Sequence, residues 1–137
     1  MEPHFNMTDE HFQLAFENAI LDPKLFSHEA HLRLAWIHIN AFGIDIAIKN
    51  VTSQLMNYVT GLGMTYKYHE TVTIAAVRAI YHFMLKSGSD NFKDFIKEFP
   101  RLKYNFKELL SKHYGFDVFT TEEARSSFLE PDLLPFD

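Results

Sequence analysis

The sequence contains no cysteine. That excludes disulfide staples, thiolate nucleophiles, iron–sulfur ligation and cysteine-type zinc sites together. No apolar run approaches the ~18 residues that a membrane span requires, and Met1-Glu2-Pro3-His4 has neither the basic nor the apolar stretch of a signal peptide. A Gly-rich phosphate loop is missing, and no serine stands in a G-x-S-x-G context, so triad hydrolysis has no support. Basic residues are few, 13 against 18 acidic ones, and they are scattered, which leaves a net charge of −5. A nucleic-acid binder would show a basic stripe, and an acidic chain avoids anionic membrane surfaces. The expectation is a cytoplasmic protein with neither nucleic acid nor membrane as partner.

What remains is ample for a folded core. The chain has 137 residues, 47% of them hydrophobic and 23% charged, so residues 1–137 are expected to form a single all-helical domain. Fourteen phenylalanines against one tryptophan point to interlocking aromatic packing. Eight histidines make the charge responsive to pH near 6.5.

The apolar residues recur with a helical period. Thr8-Asp9-Glu10 reads as a capped helix start, and Asp22-Pro23 as its stop. Ser27 should cap a second helix that runs to Phe42, with Gly43 beyond its end. Asp45 should cap a third, ended by Gly61 and Gly63; a fourth should run from His69 to Lys86. Shorter helical patterns cover 90–99, 102–113 and 120–128, and no stretch alternates with strand character. The fold class expected is all-α, a single-domain bundle of five to seven helices with an extended C-terminal tail strapped down by its leucines.

Two stretches concentrate the chemistry. His28 and His31, three apart, project over one helical turn, and on the wheel they face inward or toward the border of the apolar stripe. Glu29 and Arg33 fall away from that stripe. About forty residues later, His69, Glu70 and Thr73 open the fourth helix, with Tyr68 just before it. Three imidazoles with an open position would suit a divalent transition metal such as Zn, Fe, Ni or Mn. In that reading His28, His31 and His69 are metal ligands. Glu70 is a fourth ligand or catalytic acid/base, and Thr73 and Tyr68 contact the cofactor or a bound small molecule. The spacing differs from the zincin motif and lacks the paired Glu-x-x-His elements of di-iron bundles. Two other readings stay open: a metal-free small-ligand-binding module, and a structural domain whose His/Glu network sets helix packing. His38 is expected to border the stripe, and His4, His11, His82 and His113 to lie at or near the surface.

Three motifs span most of the chain: Phe26-x-His28-x-x-His31-x-Arg33-Leu34-Ala35-Trp36, Tyr68-His69-Glu70-Thr71-x-Thr73, and Glu123-Ala124-Arg125-x-x-Phe128-x-x-Pro131-Asp132-Leu133. In combination they resemble a widespread bacterial family of small, uncharacterised proteins. Family members often carry a further histidine where Ser27 stands and an aspartate where Ala30 stands. The resemblance implies that His28, His31, His69 and Glu70 belong to one shared constellation, and it assigns no reaction. The expectation is thus a protein with a mononuclear metal site, a candidate small-molecule metalloenzyme, and exposed aromatics would allow a homodimer.

Overall fold

Helices and no strands make up residues 1–136, the part of the chain that the computed structural model describes. The all-α expectation holds. These residues separate into two compact units, Met1–Tyr68 and a second that begins at His69. Among them, no helix is long and apolar enough to cross a membrane.

The first unit is built on three helices, α1 (Asp9–Glu17), α2 (His28–Phe42) and α3 (Ile44–Gly61). Thr8 caps α1 by accepting the His11 N–H at 3.2 Å, and Ser27 caps α2 by accepting the Ala30 N–H at 3.2 Å. Helix α1 ends at Glu17, short of Ile20, because Ala19 takes a left-handed conformation at φ 58° and turns the chain. Gly43 is the sole residue between α2 and α3. At φ 84° and ψ 170° it ends one helix and caps the next, a role expected of Asp45, which sits in the first turn instead. Phe16, Phe26 and Tyr58 form an aromatic triad with ring centroids 4.8–5.3 Å apart, and the Tyr58 hydroxyl donates to the Leu21 carbonyl at 2.9 Å.

Helix α2 departs from the wheel. Ten of its fifteen residues are buried, including Glu29 and Arg33, each 4% exposed, whereas His28 and Phe42 lie exposed. A helix buried on nearly every side has no polar face to read. Glu29 and Arg33 are inside because a 3-10 turn, Pro3–Asn6, brings polar partners to them.

The second unit opens with α4 (Glu70–Met84), followed by α5 (Phe92–Glu98), α6 (Arg101–Tyr104), α7 (Phe106–Ser111) and α8 (Glu122–Ser126). The 102–113 pattern divides at Asn105, whose φ of −133° breaks the helix, so the described residues hold eight α-helices. Buried Thr71 ties α4 to the segment after α8. Its hydroxyl donates to the Ser127 carbonyl at 2.8 Å and accepts the Leu129 N–H at 3.1 Å. The tail is held by different groups from those expected. Leu133 and Leu134 are 62% and 53% exposed; Phe136 is buried and stacks on His113 at 4.3 Å. The Leu133 N–H donates to the His113 carbonyl at 3.0 Å.

Candidate functional site: a buried Glu2–His4–Glu29 cluster

Among the described residues, a grouping of metal-type donors lies in the first unit, where the 3-10 turn meets the start of α2. His4 is fully buried, contrary to the surface position expected for it. Its Nε2 lies 2.7 Å from Oε1 of Glu29 and 3.7 Å from Oε1 of Glu2. One donor atom from each of Glu2, His4 and Glu29 lies within 4.8 Å of the others, a His/Glu group that could hold a metal ion. The Ser27 hydroxyl, which caps α2, also donates to the Glu2 carboxylate. The start of the helix and the N-terminal arm are therefore joined at one side chain.

Arg33 closes the cluster from the other side. Its guanidinium donates to the carbonyls of His4 at 2.7 Å and Met7 at 2.8 Å, and to Asp9 Oδ1 at 2.8 and 3.1 Å. A further Nη1–Nδ1 approach to His4 measures 3.3 Å. These contacts account for all five guanidinium N–H groups. The plane also covers the rings of Phe12 at 4.9 Å and Phe5 at 5.6 Å. Burying a cation is costly unless it is paired and hydrogen-bonded, and Arg33 is both.

The electrostatics favour a neutral imidazole. Burial lowers the His4 pKa, more than the hydrogen bond to Glu29 raises it. With Nδ1 facing a guanidinium donor, the ring proton belongs on Nε2, directed at Glu29. Glu2 and Glu29 face the imidazole and Asp9 pairs with the guanidinium, so the cluster gathers three acidic side chains and a single guanidinium, a formal excess of negative charge. Of Glu2, His4 and Glu29, Glu2 is the one nearest solvent, 28% exposed against 0% for His4 and 5% for Glu29.

The residues singled out in the sequence fall in both units. His28 and His31 share the first turn of α2. His31 is half-buried against Phe26, with ring centroids 5.5 Å apart, and its Nε2 is sealed from solvent with no hydrogen-bond partner. Burial, with a smaller repulsion from His28, lowers its pKa to about 4. Tyr68 is half-buried at the end of the first unit, after a 3-10 turn at Thr65–Lys67.

In the second unit His69 is the N-cap of α4. Its Nδ1 accepts the Val72 N–H at 3.1 Å, and Nε2–H donates to the Val118 carbonyl at 2.9 Å. Both ring nitrogens are thus occupied, and a metal would have to displace one of these bonds. Burial lowers the His69 pKa despite the Val118 bond that raises it. Thr73 is buried and donates to the His69 carbonyl at 2.6 Å, and Glu70 is half-buried in the first turn of α4.

Sequence reasoning missed Glu2 and His4 and set Glu29 aside. The available signal was the first turn of α2, where a carboxylate and a guanidinium flank the apolar stripe at i and i+4. Nothing local to Glu2-Pro3-His4 announces burial, because its partners lie 25 or more residues away. Comparison of the chain with protein-family models, with curated proteins and with solved structures found no match.

Proposed function

We propose that this protein binds a divalent transition metal through Glu2, His4 and Glu29. The observation that carries the reading is the convergence of two carboxylates and an imidazole within 4.8 Å, with His4 and Glu29 buried. Mixed oxygen and nitrogen donors suit Zn, Fe, Mn or Ni, and the excess negative charge offsets a dication's desolvation. Glu2 is the part-exposed ligand on the route by which an ion would enter. This donor set is preferred to His28, His31 and His69 because His69 spends both nitrogens on capping α4 and holding Val118. With three protein ligands, coordination positions stay open, and a bound metal would polarise a water or a small-molecule carbonyl there. A cytoplasmic bacterial setting and a small-molecule ligand belong to the same proposal, and so does membership of the family that the motifs resemble.

The test is metal analysis of purified protein, followed by thermal unfolding with added Zn, Ni, Mn or Fe. One of these metals is expected to raise Tm, since a ligand at about 100 times its Kd stabilises by ~2.7 kcal/mol. Glu29→Gln should abolish that rise, whereas His28→Ala should keep it. Absence of metal together with no rise for any of the four ions would overturn the reading.

A second reading rests on Arg33. Its Nη1 opposes a proton on Nδ1 of His4, so Nε2 carries the hydrogen that a metal would need to replace. On that reading the cluster is a metal-free clamp that fixes the arm to α2. An unchanged Tm with every metal, alongside a large loss of stability in Arg33→Met, would favour it.

A further inference from the structure

A cleft of about 580 Å³ opens in the second unit between α7, the turn over residues 114–119 and Leu133 of the tail. Its size falls within the range of small-molecule sites, roughly 300–1,000 Å³. Leu110, Tyr114, Val118, Phe119 and Leu133 provide an apolar lining, and Lys107 is its one cationic side chain. The Lys107 ammonium lies 5.2 Å from the Phe119 ring centroid, and among the described residues it has no carboxylate partner. Asp117, the acidic group of the lining, turns Oδ1 to its own backbone and accepts the Phe119 N–H at 3.0 Å.

The walls are held in place by hydrogen bonds. His69 grips the Val118 carbonyl at 2.9 Å, and Asp132 accepts the Gly115 N–H at 2.7 Å. The Leu133 N–H is fixed to the His113 carbonyl at 3.0 Å. A cleft held from three directions needs little ordering on binding. We propose that it binds a small amphipathic carboxylate, with its apolar chain along Leu110, Val118 and Leu133 and its carboxylate on Lys107. One ammonium, with no arginine fork beside it, matches a singly charged head better than a phosphate. This site shares no residue with the Glu2–His4–Glu29 cluster and stands independently of the metal reading.

Titration of the full chain with octanoate, octanol and octylamine, followed by amide chemical shifts, tests the assignment. Octanoate should move the resonances of Leu110, Val118 and Leu133 and bind roughly fivefold more tightly than octanol, the scale of one solvent-accessible charge pair. Lys107→Gln should remove that preference, weakening octanoate far more than octanol. Leu133→Asp, at a side chain 62% exposed and so tolerant of change, should weaken both. Octylamine binding as tightly as octanoate, a preference that survives Lys107→Gln, or no shifts around the cleft with any probe would each overturn the proposal.

Discussion

His31 couples this protein to pH through a single nitrogen. Its Nε2 is sealed without a partner, and burial holds the ring's pKa down to about 4. An unfolded histidine titrates near 6.5. Between these values the unfolded chain holds a proton that the folded one refuses. Stability is therefore complete above about pH 6.5 and falls as the pH drops toward 4. Each pKa unit corresponds to ~1.4 kcal/mol, and with the ring only half-buried a contribution on the order of 2 kcal/mol is expected. His4, His38 and His69, all lowered chiefly by burial, act in the same direction. Urea midpoints at pH 7.5 and pH 5 provide the measurement. His31→Gln should narrow the gap between them, and a gap as wide as in the parent protein would show that charging this ring costs nothing.

At the scale of the element, His69 shows how one residue type can satisfy different rules. It stands where serine, threonine or asparagine usually cap a helix, and its Nδ1 takes the Val72 N–H as their oxygen would. Its other nitrogen reaches Val118, 49 residues further on, and fastens the start of α4 to the loop before α8. His69→Ala should cost roughly 1–2 kcal/mol, the value of a cap together with a second hydrogen bond. His69→Asn should recover the cap and leave Val118 unheld, so its Tm is expected between those of the parent and the alanine variant. Equal Tm values for the two variants would show that capping contributes nothing.

Helices were legible in the sequence wherever apolar spacing and a cap agreed, as at Thr8 and Ser27. They were misjudged where tertiary contacts decided. Asn105 breaks the 102–113 pattern with no proline or glycine to mark it. The wheel failed on α2 because its method presumes a wet face, and this helix is buried on almost every side. Glu29 and Arg33, aimed away from the apolar stripe, meet the arm instead of water. The importance of the Ser27–Arg33 stretch could be read from its residues. Its partners could not, because Glu2 and His4 join it only through the folded arm.

For the whole molecule, charge and burial act together. The net charge of −5 counts all eight histidines as neutral, and the isoelectric point is near 5.9. Mild acid therefore removes the charge that keeps molecules apart in the same interval in which the buried histidines begin to oppose the fold.

Gly43 bears on the assembly of chains. It lies in backbone space almost reserved for glycine, and a methyl group added there would meet nothing within 4 Å. An alanine would fit by space and fail by torsion, at a cost of about 1–3 kcal/mol. The relief nearest at hand is to become helical, which would fuse residues 28–61 into one rod about 50 Å long. Such a rod cannot fold back on itself, so α2 would have to find α3 in a second molecule, a reciprocal exchange of helices. Gly43→Ala is accordingly expected to populate dimers at high concentration, detectable by light scattering after size-exclusion chromatography. A variant that is merely less stable and monomeric throughout would show that the hinge tolerates the strain. One residue without a side chain would then be what keeps the helical hairpin within its own chain.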